Sequence, residues 1–123
     1  MSNKKYNIKN LLKGRLGRRH YLIGLIILSF ITGLISISVH DNYLNWLPAL
    51  IGCILFLPIT IKRLHDIDVS GGWALIRFLG FIDNLWVIAF IFNLVLIFKE
   101  GDKKENKYGD SPKGRSFIRA ILK

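Results

Sequence analysis

Residues 62–73 read Lys62-Arg63-Leu64-His65-Asp66-Ile67-Asp68-Val69-Ser70-Gly71-Gly72-Trp73, a polar stretch that lies between long apolar runs. We call this stretch the polar island. It holds two cations, two carboxylates and a histidine, and it is the only stretch between apolar runs that could carry chemistry. Because one apolar run enters it and another leaves it, we expect the island to lie where the chain meets a membrane surface. Its Ser-Gly-Gly end predicts a sharp reversal of the chain.

Two uncharged apolar runs precede the island. As a helix, each run would span roughly 28 Å, close to the hydrocarbon thickness of about 30 Å. A soluble domain of 123 residues could not bury two such helices, because most of each surface would stay exposed. The first run is not expected to be a signal peptide, since no small-x-small cleavage site follows it. The sequence therefore predicts two transmembrane helices, at about 21–39 and 43–61.

A third apolar run covers residues 73–98, but Arg77 and Asp83 interrupt it and Gly80 and Asn84 flank the break. It fits either a kinked third transmembrane helix or a re-entrant hairpin, whose legs of about 12 and 21 Å would not span the bilayer. A charged side chain in hydrocarbon costs at least about 2.5 kcal/mol. Arg77 and Asp83 are therefore either candidate functional residues or residues that snorkel near the interface. The predicted fold class is all-α, a small polytopic membrane helix bundle in a single membrane domain, 1–123.

The positive charge flanks the apolar runs. The net charge is +10, and the basic N-terminal segment, 1–20, contains no acidic residue. The turn at 40–42 has no Lys or Arg, whereas the tail at 99–123 is basic again. The positive-inside rule therefore predicts a multi-pass membrane protein with a cytoplasmic N-terminus, and it favours a cytoplasmic tail and hence the hairpin. No nucleic-acid partner is expected, because no nucleic-acid-binding motif accompanies the charge.

The candidate ligand-binding residues are arginines. Arg15, Arg18 and Arg19 share one helix face because they are three and four positions apart, and Arg63 lies in the island. These four arginines are candidates for binding the phosphates of anionic lipid headgroups. For Arg15, Arg18 and Arg19, however, we favour the simpler role of anchoring the chain by the positive-inside effect. A basic amphipathic helix at about 115–123 is expected to lie on the inner leaflet.

Spacing also predicts how the helices pack. Small residues share one face of the first helix, at Ser29, Gly33 and Ser36, and one face of the second, at Ala49, Gly52 and Cys53. We expect these two faces to pack closely against each other. Within the island, Asp66 is expected to pair with Arg63, three positions before it, or with Arg15 or Arg18, as a structural clasp beneath the third run.

Three motifs in this order resemble a known family. They are Gly14-Arg15-Leu16-Gly17-Arg18-Arg19-His20-Tyr21, the polar island, and Asn106-Lys107-Tyr108-Gly109-Asp110-Ser111-Pro112. The chain resembles the small bacterial inner-membrane proteins of domain of unknown function 805 (DUF805), from which it departs at Leu22, Lys62, Gly72 and Glu100. The resemblance implies an integral inner-membrane protein and implies no activity. It marks as possible functional or structural residues His65, Asp66, Ser70, Trp73, Asn106, Tyr108 and Gly109.

These observations favour a non-enzymatic membrane protein that binds anionic lipid, a protein partner or a second copy of itself. One alternative is an oligomeric small transporter or channel that uses Arg77 and Asp83. The other is a metal-dependent enzyme at the membrane interface that uses His65 and Asp66. No catalytic residue, cofactor or metal site is predicted, since no complete metal or triad spacing is present. The single cysteine, Cys53, permits no internal disulfide.

Overall fold

The computed structural model describes residues 11–112, 114 and 116–122, with the side chain of Leu122 excepted. Its α-helices are α1 (Arg18–Ser38), α2 (Leu47–Asp66), α3 (Trp86–Phe98) and α4 (Phe117–Leu122). Two 3₁₀ helices, η1 (Asn42–Leu44) and η2 (Gly71–Phe81), precede α2 and α3. None of the described residues lies in a β-strand, so the predicted all-α helix bundle is confirmed.

The two predicted membrane helices correspond to α1 and α2. Two helical segments, Arg18–Ser38 and Asn42–Asp66, are long and apolar enough to cross a bilayer. At 1.5 Å per residue, α1 and α2 are each about 30 Å long, which matches the hydrocarbon core. Apolar side chains such as Phe30 and Ile37 are exposed on their surface, as expected of helices that face lipid. Helix α2 extends beyond the predicted limit, so the first half of the polar island is helical.

The faces through which α1 and α2 pack differ from the prediction. A Cβ atom on Gly24 would lie 3.1 Å from Ile59 Cδ1, and one on Gly52 would lie 3.2 Å from Thr32 Cγ2, so the helices are close at both glycines. The small-residue face expected on α1 is instead exposed at Ser29, Gly33 and Ser36. That part of the prediction is wrong. Helix α1 is rotated because Tyr21 is buried, which turns Gly24 and Thr32, three and eleven positions later, toward α2.

The third apolar run folds as a hairpin. Helix η2 leads to a turn at 82–85, and α3 returns beside η2. At about 2.0 Å per residue the 3₁₀ leg is about 22 Å long, and α3, at about 1.5 Å per residue, is about 20 Å long, so neither leg matches the thickness of a bilayer. Asn84 in the turn has a φ of 68°, a left-handed conformation that asparagine tolerates better than most residues.

Four parts of the chain meet at one end of the bundle. Leu16 N–H donates to Lys62 C=O at 3.1 Å, and Asp102 N–H donates to Asp66 C=O at 2.7 Å. Arg63 Nε donates to Leu96 C=O at 2.7 Å, which brings the end of α3 to the same place. We call this assembly of residues 11–20, 62–73 and 96–112 the polar end.

The short helix α4 also lies at the polar end. The Lys62 ammonium donates to Ala120 C=O at 2.9 Å and to Ile121 C=O. Ala120 is buried and Ile121 packs against the core, whereas Ile118 is 64% exposed. The predicted C-terminal helix thus exists at Phe117–Leu122 and packs on the bundle through part of its apolar face, while residues 115 and 123 fall outside the described part of the chain.

Candidate functional site

Asp66, the last residue of α2, is the centre of the polar end. It is only 3% exposed. Its Oδ1 accepts from Arg15 Nε at 3.0 Å and lies 2.9 Å from Arg15 Nη2, while its Oδ2 accepts from Arg63 Nη1 at 2.5 Å. A buried carboxylate requires such partners, because burial removes the water that would otherwise solvate its charge. The predicted pairing is confirmed, with both arginines at once. We call Arg15, Arg63 and Asp66 the clasp.

Arg15 joins the clasp to the tail. Its Nη1 donates to Lys104 C=O at 2.7 Å and to Gly109 C=O at 3.2 Å, and its Nη2 donates to Asp102 C=O. The side chain has no exposed surface. A single guanidinium, with five donors in a rigid plane, thereby fastens the tail to the end of α2.

Arg63 joins the clasp to the hairpin. Its Nε donates to Leu96 C=O at 2.7 Å, its Nη1 donates to Leu16 C=O at 3.4 Å, and its Nη2 donates to Lys99 C=O. The last carbonyls of a helix have no partner within the helix and carry partial negative charge. Arg63 therefore caps α3. The guanidinium groups of Arg15 and Arg63 are occupied within the protein, so the prediction of lipid binding now depends on Arg18 and Arg19.

Gly101 belongs to the site, although sequence reasoning did not single it out. A Cβ atom at this position would lie 1.8 Å from Asp66 Oδ2, so only glycine fits there. The close approach lets Asp102 N–H reach Asp66 C=O at 2.7 Å. The available signal was a glycine at the start of the tail, but spacing along the chain does not indicate what that glycine packs against.

The tail turn covers His65. The His65 ring stacks on Tyr108 with ring centroids 3.9 Å apart and an angle of 6° between the planes, and its Nδ1 lies 3.1 Å from Gly14 C=O. Asn106 Nδ2 donates to His65 C=O at 2.9 Å. Gly109 has a φ of 124°, which glycine alone adopts easily. The structure thus brings the predicted residues Asn106, Tyr108 and Gly109 of the tail turn together over the predicted residue His65, at the end of α2.

The first and third motifs and most of the island therefore meet in space, and a family comparison covers the same part of the chain. The model of a family described as "Protein of unknown function (DUF805)" matches residues 11–110. The chain belongs to the DUF805 family.

Two curated relatives of this DUF805 protein come from Escherichia coli strain K12. "Inner membrane protein YhaI" is 33% identical over 105 residues, which cover 81% of this chain and 84% of YhaI. "Inner membrane protein YhaH" is 33% identical over 115 residues, which cover 82% of this chain and 86% of YhaH. No solved structure matches the chain. With its two apolar helices, the DUF805 protein is a membrane protein.

The other predicted site residues lie away from the clasp. Ser70 Oγ accepts from Gly72 N–H at 3.4 Å and so begins η2, and Trp73 is 60% exposed. Asp83 is exposed in the hairpin turn. Among the residues that the structure describes, no group of three or more His, Cys, Asp or Glu side chains is arranged to hold a metal.

Arg77 lies in a second polar cluster of this DUF805 protein. Its Nη1 donates to Asn93 Oδ1 at 2.5 Å and to Tyr21 Oη and Thr60 Oγ1, both at 3.4 Å. The guanidinium carbon lies 4.5 Å from the centroid of the Phe56 ring. We call these five residues the Arg77 cluster. Of these five residues only Arg77 was predicted as a site residue, because its partners come from three other helices and look like ordinary residues of apolar runs.

An open cavity of about 1060 Å³ adjoins the clasp, between the start of α1 and the tail. Its lining includes the cations Arg18, Arg19 and Lys103, and also His20 and Glu100. Arg18 Nη2 lies 3.3 Å from Glu100 Oε1, and both side chains are about half exposed or more. Solvent screens such an exposed pair, so it leaves Arg18 available to other anions.

Proposed function

We propose that this DUF805 protein is a non-enzymatic protein of the bacterial inner membrane whose polar end binds the anionic headgroups of the cytoplasmic leaflet. The observation that carries the proposal is the asymmetry of exposed charge. The polar end and α4 expose a large set of cations, namely Lys13, Arg18, Arg19, Lys99, Lys103, Lys104, Lys107 and Arg119. The loop at the opposite end, 39–46, carries Asp41 and no Lys or Arg.

This asymmetry supports one orientation and one class of ligand. The cytoplasmic side of a membrane protein carries an excess of Lys and Arg, and the names of the relatives point to an inner membrane. An anionic leaflet attracts each nearby cation by about 1 kcal/mol. The cavity of about 1060 Å³ brings Arg18, Arg19 and Lys103 together in one lining, beside the start of α1.

The clasp supports a structural rather than a catalytic role for the island. Both oxygens of Asp66 accept from arginines, and the His65 ring is stacked beneath Tyr108. A metal-dependent reaction at these two residues would first have to dismantle the clasp. A protein partner or a second copy of the chain stays a prediction, as does the transporter alternative.

The test compares stability in two kinds of nanodisc. The full chain is reconstituted in phosphatidylcholine alone and in phosphatidylcholine with phosphatidylglycerol, and its melting temperature is measured in each. A lipid that binds only the folded state stabilises it, so we expect the anionic lipid to raise the melting temperature. The double variant Arg18→Gln/Arg19→Gln should lose about 2 kcal/mol of that stabilisation, since two cations are removed.

The matched control is Arg18→Lys/Arg19→Lys, which keeps both charges and should keep the response to anionic lipid. Added salt should reduce the response of the unmodified chain, because salt screens exposed charges. The proposal is wrong if the melting temperature is the same in both lipids, or if both double variants respond as the unmodified chain does.

A further inference from the structure

Arg77 differs from every other cation in the sequence. The chain has 18 Lys and Arg residues, and all others lie in segments 1–20 and 99–123 or in the island. Arg77 instead lies within η2, and its guanidinium is surrounded by side chains of α1, α2 and α3. A cation placed among membrane helices requires a compensating partner, and such residues commonly mark ligand or ion sites.

The described residues supply Arg77 with polar neighbours but no counter-ion. The three oxygens that accept from Nη1 are neutral. The ion pairs of the described part of the chain join Arg15 and Arg63 to Asp66, and Arg18 to Glu100. The positive charge of Arg77 is thus not neutralised by any carboxylate that the structure describes.

One edge of the guanidinium is open. All three hydrogen bonds of Arg77 use Nη1, and none among the described residues uses Nε or Nη2. No fully buried side-chain nitrogen or oxygen in the described residues lacks a partner, so the Nε and Nη2 atoms of Arg77 are not completely buried. These two nitrogens form the side of the guanidinium that binds two oxygens of a phosphate or carboxylate at once.

The side chains around Arg77 fix the orientation of its Nε–Nη2 edge. Asn93 Oδ1 accepts from both Tyr21 Oη, at 3.0 Å, and Arg77 Nη1, while Asn93 Nδ2 donates to Ala89 C=O at 2.9 Å. The Phe56 ring lies against the guanidinium carbon. Asn93 is therefore a positioning residue, since it fixes Nη1 and leaves the Nε–Nη2 edge pointing elsewhere.

The depth of the cluster suits a lipid phosphate. Tyr21 lies three residues after the start of α1, and Asn93 lies five residues before the end of α3. At 1.5 Å per residue the guanidinium is therefore roughly 5 to 8 Å below the polar end. Snorkelling and local thinning of the bilayer bring phosphate groups to arginines at such depths.

We propose that the Arg77 cluster binds a phosphate-bearing anion through the Nε–Nη2 edge, and that the phosphodiester of a membrane phospholipid supplies it. This site is separate from the exposed cations of the proposed function and does not depend on them. It would hold one lipid at the Arg77 guanidinium, whereas the surface cations would attract many lipids weakly.

The test measures phospholipid that stays with the detergent-purified full chain, by native mass spectrometry and by lipid phosphorus. We expect the unmodified chain to keep a bound phospholipid, and Arg77→Gln to lose it down to the detergent background. Arg77→Lys keeps the charge but lacks the paired Nε and Nη2 donors, so it should lose part of the bound phospholipid. Asn93→Leu removes an acceptor of Nη1 and should also lose part of it. The control Arg18→Gln/Arg19→Gln should keep the lipid even though it weakens the response to anionic nanodiscs.

Two further arms identify the source of the phosphate. Short-chain phosphatidylglycerol should raise the melting temperature of the delipidated chain, whereas inorganic phosphate should not. If inorganic phosphate raises the melting temperature and Arg77→Gln abolishes that rise, the site binds free phosphate, and the proposal of a lipid phosphodiester is wrong. The proposal fails if the unmodified chain keeps no phospholipid and responds to neither ligand, or if Arg77→Gln, Arg77→Lys and Asn93→Leu all keep as much lipid as the unmodified chain.

Discussion

At the scale of the residue, the polar end depends on one carboxylate. Asp66 accepts from two buried arginines, and those arginines reach the tail, the hairpin and the N-terminal segment through backbone carbonyls. Removing one partner of a buried ion pair is far more costly than the pair itself is stabilising, because the remaining charge stays buried without compensation. Here two cations would be left facing each other.

Replacing Asp66 should therefore destabilise the protein strongly. We expect Asp66→Asn to lower the free energy of unfolding by about 3 to 5 kcal/mol. The measurement is unfolding by denaturant in mild detergent, with circular dichroism as the probe. The matched control is Asp68→Asn, an exposed position whose φ of 59° asparagine tolerates, and its effect should stay within about 0.5 kcal/mol. Equal losses in the two variants would contradict the role given to the clasp.

The sequence predicted only the local half of this site. Arg63 and Asp66 are three positions apart on one helix, which is enough to predict their pairing. Arg15 is 51 positions from Asp66, and the sequence allowed it only as one of several partners. Gly101 was missed altogether, because the need for glycine arises from an oxygen that reaches it across the fold.

At the scale of the element, one tyrosine decides which face of α1 is buried. Helix α1 is apolar all round, so its sequence contains no strong amphipathic pattern to set its rotation. The small residues Ser29, Gly33 and Ser36 looked like a packing face and proved exposed. The deciding contact joins Tyr21 to Asn93, which is 72 positions away, and periodicity within α1 cannot reveal such a contact.

Two glycines of α1 test this rotation. Gly24→Leu would force a side chain against Ile59, which already lies 3.1 Å from where a Cβ would be, and overpacking of this kind costs about 1 to 3 kcal/mol. A Cβ atom at Gly33 would have no atom within 4 Å, so Gly33→Leu should be tolerated. Both changes add the same helix propensity, so their difference in melting temperature in detergent reports packing alone. A larger loss from Gly33→Leu would show that the predicted face was the right one.

The break in the hairpin, unlike the rotation of α1, was predictable from the sequence. Gly80, Asp83 and Asn84 predicted the break correctly, because charge and turn residues interrupt an apolar run visibly. The lengths of the legs were less predictable. The first leg is a 3₁₀ helix, whose rise per residue is larger than that of an α-helix, and the two legs are therefore nearly equal in length.

At the scale of the whole molecule, the polar end is the organising feature. The N-terminal segment, the end of α2, the base of the hairpin and the tail are joined there by hydrogen bonds to the clasp. Composition and charge were enough to predict a membrane protein with both basic segments on one side. They could not show that those segments touch, since charge counting contains no distances.

The most direct test of this account is the topology of the chain in its membrane. Single cysteines are introduced into a Cys53→Ser chain by Lys13→Cys, His40→Cys and Glu105→Cys, all at exposed positions. They are then treated with a membrane-impermeant thiol reagent in intact spheroplasts and again after lysis. We predict that the His40 position reacts in intact spheroplasts, whereas the Lys13 and Glu105 positions react only after lysis. Reaction of the Lys13 and Glu105 positions from opposite sides of the membrane would contradict the account.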